Sequence, residues 1–244
     1  MSGPASILKP RPFRVVANEP LAEGSYLLRL APADGLEPFA FQAGQWAYLH
    51  VPDHDGKPWR RGAFSIASAS SDSAETLEFA IKTYGEMTTR GRELHVGEEV
   101  GVQGPFGRFL APAGDGPLLF IAGGIGIAPF RCMVREILAS GSSRPLILVH
   151  SNRERSEIAF ETEFRGLAAR YPSFRYVPTL TGEAPDGWDG ERGRVDARML
   201  ASLAPDLSGA DVLLCASNPF MDAMKPLLVE LGVGLKRIHV ERFY

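Results

Sequence analysis

PLLFIAGGIGIAPF, residues 117–130, is the stretch on which the fold turns. Its first half is a continuous apolar run, the pattern of a strand covered on both faces, and its second half is a glycine turn opening into a helix. Gly124 and Gly126, either side of Ile125, let the backbone turn tightly and come close to a ligand. Pro129 suits the first helical turn, where its missing N–H would be unpaired anyway. Free amides at such a helix start face the place a pyrophosphate would occupy. The same residues would also make a tight strand-to-helix turn with no ligand. The pattern departs from GxGxxG in having Pro129 where the third glycine would stand.

Downstream, strands and helices alternate. The glycine turn leads to a helix near 129–140, LILVHSN to one near 158–170, FRYVPTL to one near 195–203 and DVLLCAS to one near 220–231, and RIHVERFY closes the sequence. Apolar strands alternating with amphipathic helices predict a parallel sheet covered on both faces, with ligands beyond the carboxyl ends of its strands. In the usual dinucleotide fold an acidic residue about 20 positions past the glycines holds a ribose diol. Here that region reads LVHSNRER, with no acid at the strand end. Ser151, Asn152, Arg153 and Arg155 could hold a ribose or its 2′-phosphate, and the two arginines lean towards the phosphate. A solvated charged loop is the competing reading of both.

Upstream, the period is two. FRVVAN, SYLLRLA, WAYLHV, TLEFAIK and EEVGVQG are separated by Gly, Pro, Asp and Ser clusters and predict an antiparallel β-barrel or sandwich. In TLEFAIK, Leu77, Phe79 and Ile81 point one way and Glu78, Ala80 and Lys82 the other. APAGDGP, 111–117, has little to bury and marks the boundary. The expected organisation is two-domain: an antiparallel β-barrel over 1–112 followed by an α/β parallel-sheet, nucleotide-binding domain over 113–244. One strand, RGAFSIAS at 61–68, mixes a cation, a glycine, an aromatic ring and hydroxyls, as a strand lying against a flat, polar-edged ligand would.

Composition excludes several classes of function. With 45% apolar residues, and Lys+Arg 26 against Asp+Glu 29 for a formal charge of -3, the chain has the core of a globular protein and no field for nucleic acid. Its longest apolar run falls short of the roughly 20 residues of a membrane span. Prolines interrupt MSGPASILKPRPF where a signal peptide needs an apolar core, so a cytoplasmic protein is expected. Two cysteines, Cys132 and Cys215, make no disulfide framework and cannot ligate a four-thiolate iron–sulfur cluster. Five scattered histidines predict no metal site.

The succession RGAFSIAS, GEMTT, GPFGRF, GGIGIAP, CASNPFM and terminal ERFY resembles the ferredoxin–NADP reductase-like flavoproteins over nearly the whole chain. The resemblance implies a barrel holding FAD, a second domain binding NADP or NAD, and hydride transfer from the nicotinamide to the flavin. It places Phe64 on the isoalloxazine, Ser65 near the reactive flavin nitrogen and Ser68 close by. Ile81, Lys82 and Tyr84 then line the ribityl and adenine side, and Gly85, Met87, Thr88 and Thr89 form the turn at the pyrophosphate. Cys215 falls beside the nicotinamide, with Met221 behind it. Glu241 comes within a proton's reach of the flavin edge, and Phe243 or Tyr244 covers the ring. With Ser65 and Glu241, Cys215 completes the group expected at the chemistry.

Two departures stand out. Where the family has an arginine this chain has Gly62, with Arg61 one place further out, so a β-bulge at Gly62 is expected to return Arg61 to the ligand side. CASNPFM also lacks the glycine and prolines of the family's CGPPxM-like run. The resemblance implies electron delivery to ferredoxin, flavodoxin or an oxygenase component. A flavin or ferric reductase with diffusible acceptors, or a non-autonomous subunit of a larger electron-transfer complex, are the alternatives.

Overall fold

The structure is a computed structural model that describes residues 9–69, 75–203 and 206–242. Two compact units form: the described residues up to Leu110 together with Arg131–Ala139, and Ala111–Phe130 together with Ser140 onward. Among the described residues no helix is long and apolar enough to cross a membrane.

The first unit is a six-stranded antiparallel sheet of β1 (Arg11–Ala22), β2 (Ser25–Pro32), β3 (Trp46–Pro52), β4 (Pro58–Ser65), β5 (Leu77–Lys82) and β6 (Glu99–Phe106), in the order β4-β3-β6-β1-β2-β5. Alternate residues such as Phe13 and Val15, Leu28 and Leu30, and Leu49 and Val51 fill its interior. The edge strands approach each other, the Ala67 N–H donating to the Glu78 carbonyl at 2.8 Å, so the sheet curls into the expected barrel. β5 departs from simple alternation: Glu78 and Ala80 are buried along with Leu77, Phe79 and Ile81. Arg131 covers the outer face there and binds Glu78.

The segment read as a turn at GEMTT is a helix, α1 (Gly85–Arg92). Its sequence hides it, because two glycines and a polar run give no apolar stripe. Local bonds hold it instead. The Thr88 hydroxyl donates to the Tyr84 carbonyl at 2.7 Å and accepts the Tyr84 N–H at 2.6 Å, and the Thr89 hydroxyl donates to the Gly85 carbonyl. Gly91 packs against the Tyr26 hydroxyl, where a Cβ would collide.

The second unit carries a six-stranded, wholly parallel sheet in the order β10-β9-β8-β7-β11-β12. Its strands are β7 (Leu118–Gly123), β8 (Leu146–Asn152), β9 (Phe174–Leu180), β10 (Glu191–Arg192), β11 (Asp211–Cys215) and β12 (Ile238–Glu241). The helices are α2 (Ala128–Ala139), α3 (Glu161–Arg170), α4 (Ala197–Leu203) and α5 (Asn218–Glu230), each within a few residues of its expected place. α2 divides its residues between the two units. From β7 the chain builds outward through β8, β9 and β10, then returns to lay β11 and β12 on the other side. The sheet therefore has a topological switch between β7 and β11, where a crevice for ligands opens beyond the strand ends.

Candidate functional site

In the first unit the site forms around β4 and the start of α1. β4 pairs regularly with β3 through Gly62, with Leu49 opposite Gly62, His50 opposite Arg61 and Ala47 opposite Phe64; the only shift lies at Val51/Pro52. The bulge expected at Gly62 is absent. Strand parity therefore keeps Arg61 on the face away from Phe64, exposed, with its guanidinium 4.5 Å from the centre of the Tyr48 ring. The partner strand shows why: Leu49 and Ala47 are fully buried, and one-to-one pairing with them keeps Gly62 and Phe64 together on one side of β4. The cation that shares a face with Gly62 and Phe64 is Arg60, whose Nη2 lies 2.6 Å from Glu86 in the first turn of α1.

Gly62 leaves room on that face for Phe64 and Met87 to close over the strand. A Cβ there would stand 2.9 Å from the Phe64 ring and 3.0 Å from the Met87 sulfur. Phe64 and Met87 are partly buried against the barrel core, Ile81 lies within that core, and Tyr84 is 89% exposed beside the helix start. The first-turn amides of α1 have no intrahelical acceptors. Half-buried apolar side chains, a missing side chain and a helix start suit a flat ring system carrying a phosphate chain. Ser65 ends β4 on the opposite face from Phe64. The Ser68 hydroxyl accepts the Glu78 N–H at 3.1 Å, which ties it to barrel closure. Lys82 is exposed at the end of β5.

In the second unit the glycine turn is a short 3-10 segment, Gly124–Ile127, leading into α2. Gly124 has φ +53° with open space above it, and a Cβ on Gly126 would overlap the Cys215 carbonyl oxygen. The turn can lie on the end of β11 only because Gly126 has no side chain. Pro129 is buried in the first turn of α2, and Met221 lies wholly inside the core beneath the crevice.

His150, not singled out from the sequence, holds this turn. The Gly124 carbonyl only accepts, so His150 Nε2–H donates to it at 2.9 Å, and Nδ1 accepts the Tyr176 hydroxyl at 3.2 Å. Burial pushes the imidazole down to about 4, so it is neutral. Its signal was a histidine inside an otherwise apolar strand.

Ala122, Cys215 and Glu241 sit side by side across β7, β11 and β12. Burial, with the nearby Glu241 charge, pushes the Cys215 thiol up to about 12, so it is a neutral wall of the crevice. Burial raises the Glu241 carboxyl to about 7. Phe243 and Tyr244 lie outside the described residues. At the end of β8, Ser151 is buried, and Asn152 is 5% exposed with both ends of its amide unpartnered among the described residues. An orphaned buried amide costs about 1–3 kcal/mol, so this strand end suits a polar ligand. Arg153 is exposed, and Arg155 Nε lies 3.1 Å from Glu161.

Residues 12–110 match the model of an oxidoreductase FAD-binding domain, and residues 120–225 that of an oxidoreductase NAD-binding domain. The chain is 33% identical to a ferredoxin–NADP reductase of Sorangium cellulosum, over 97% of this chain and 100% of that protein. It is 34% identical to the reductase component of a Pseudomonas phenol 2-monooxygenase, over 85% of this chain but 59% of that protein. Several other curated relatives are likewise spanned for a little under three-fifths of their length. Among solved structures, a flavohemoglobin from Malassezia yamatoensis with bound FAD and heme superposes with a TM-score of 0.85 at 25% identity, over 97% of this chain and 60% of that one.

Proposed function

As a member of the ferredoxin–NADP reductase-like flavoproteins, this chain is, we propose, an NAD(P)H-dependent reductase that accepts hydride into FAD and passes the electrons to a protein acceptor such as ferredoxin, flavodoxin or an oxygenase component. The observation that carries the reading is the row of strand ends at the sheet's switch. There a neutral thiol, a carboxyl poised near 7 and a glycine turn stand together.

When bound, the flavin supplies a ring that takes two electrons together and releases them singly. The chain's own residues orient and protonate. Phe64 and Met87 give the ring an apolar bed, and Ser65 offers its hydroxyl at the end of β4. The amides of Gly85, Glu86 and Met87 meet the pyrophosphate, Arg60 supplies the cation sought in Arg61, and Thr88 and Thr89 brace the helix start. Tyr84, Ile81 and Lys82 flank the remainder of the nucleotide. On the second unit, Gly124, Ile125, Gly126 and Pro129 shape the turn for the nicotinamide nucleotide, Ser151 and Asn152 meet its ribose side, and Cys215 walls the ring pocket. Glu241, protonated below about 7, holds the proton that leaves or returns with the electrons. Two domains meeting near residue 112 fit this division of labour. Two buried, reduced cysteines fit a cytoplasmic location.

The test is spectroscopic. Purified protein is expected to be yellow, to bleach anaerobically on adding NADH or NADPH, and to reoxidise faster with ferredoxin than with free FMN. A chain that retains no flavin, or whose flavin stays oxidised, removes the proposal. Faster reoxidation by free FMN replaces the protein acceptor with a diffusible one.

A further inference from the structure

Beyond the carboxyl ends of β8 and β9 the second unit has a cleft of about 580 Å³, lined by Glu154, Arg155, Ser156, Glu183, Ala184, Pro185 and Asp186. One wall is the loop that follows Asn152, and the other is the loop that follows Leu180. The two are tied by the Thr181 and Gly182 amides, which donate to the Asn152 and Arg153 carbonyls at 2.9 Å. In an open parallel sheet the pyrophosphate rests at the turn after the first strand and the adenosine half extends over the neighbouring strand end. Here the first strand is β7 and its neighbour is β8. The adenosine ribose therefore falls at Asn152 and this cleft.

The cleft's charges decide which ribose it accepts. Its lining carries three carboxylates, Glu154, Glu183 and Asp186, against one guanidinium. That guanidinium is already engaged, with Arg155 Nε 3.1 Å from Glu161 and its Cζ 5.6 Å from the centre of the Trp188 ring. Two nearby cations, Arg165 and Arg153, are also matched. Arg165 binds Glu161 and Asp189, each at 2.8 Å, and Arg153 Nε is 3.8 Å from Glu154. Among the described residues neither Glu183 nor Asp186 has an ion-pair partner. A 2′-phosphate, with a charge of roughly −1.5 to −2, would enter beside two unmatched carboxylates, whereas a ribose diol would donate hydrogen bonds to them. The acid that the sequence lacks at the end of β8 comes instead from the loop after β9.

We propose that this acidic cleft selects the unphosphorylated adenosine ribose and makes NADH, not NADPH, the coenzyme. The proposal rests on reading the second unit as a nicotinamide-nucleotide site, and it reverses the lean given by Arg153 and Arg155 in the sequence.

Calorimetric titration of the flavin-loaded full chain with ADP-ribose and with 2′-phospho-ADP-ribose tests it without turnover. At low salt, ADP-ribose is expected to bind about tenfold tighter or more, the scale on which a few like charges at partly screened distance act, with the gap shrinking in high salt. Glu183→Gln with Asp186→Asn, both exposed positions, is expected to narrow the ratio about fivefold through the phosphorylated ligand. Equal or tighter binding of the phosphorylated ligand, a ratio indifferent to these substitutions, or a selective loss of its binding in Arg155→Gln would each overturn the proposal. If the folded chain binds neither ligand, the nucleotide-site reading beneath it falls as well.

Discussion

Glu241 combines half-burial with a position at the end of the last described strand, and its raised carboxyl has consequences of opposite sign for activity and stability. In the role proposed above the protonated form is the donor, so turnover through it is expected to hold below about 7 and to decline above. Glu241→Gln is expected to lower turnover about 10²-fold and to erase that limb of the pH–rate profile. For stability, a carboxyl raised from 4.5 to about 7 leaves folding unpenalised below 4.5 and penalises it as pH rises through 7. The Gln variant is therefore expected to melt higher than the native chain at pH 8. The arginine question is also decided residue by residue. Regular pairing through Gly62 puts Arg60, two positions away, on the Phe64 face, and simple strand parity would have named it had a bulge not been invoked. In flavin-fluorescence titrations, Arg60→Ala is expected to weaken FAD about tenfold, the scale of one charge-assisted contact, and Arg61→Ala far less. Equal losses from the two would discard this assignment.

Between elements, a buried polar tie in the first unit joins β5, β2 and α2. Glu78 accepts from Arg131 Nη1 at 2.6 Å and from Arg29 Nε at 2.8 Å, and Arg131 also donates to the Ala67 carbonyl at 3.0 Å. Burial pushes the Glu78 carboxyl up, but Arg131 and then Arg29 hold it below the ordinary range. Removing one partner leaves a buried charge unmatched, so Arg131→Met is expected to cost about 3–5 kcal/mol in chemical denaturation, and Glu78→Gln a comparable amount. Because the folded carboxyl is depressed, the stability it contributes is present above the ordinary carboxylate pKa and is lost as pH falls through the folded value. A pH-independent melting difference between native chain and Glu78→Gln would contradict this. α1 was illegible for a related reason. Its stability comes from threonine hydroxyls bonded back to Tyr84 and Gly85 and from the Tyr26 hydroxyl on the Thr88 carbonyl, none of which leaves a hydrophobic period.

At the level of the molecule, these 244 residues hold two cysteines, both buried and neither in a disulfide, too few for a four-thiolate iron–sulfur cluster. The near-neutral charge of -3 gives no broad field to steer an acidic or a basic partner, so recognition of the protein acceptor proposed above would have to be local.

The sequence by itself determined the two classes of architecture, an antiparallel β unit and a parallel α/β unit, since period-two alternation buries one face of a sheet and apolar runs broken by amphipathic helices bury both. It also determined the glycine turn, because only residues without a Cβ fit where Gly126 meets the Cys215 carbonyl. Tertiary structure alone decided which side chains face one another across distance in the chain. It set Arg60 instead of Arg61 on the Phe64 face, His150 beneath Gly124, and Glu183 and Asp186 opposite Glu154. Pattern along a strand fixes alternation, but charge complementarity depends on loops that fold back from other strands, and no local period records where they land.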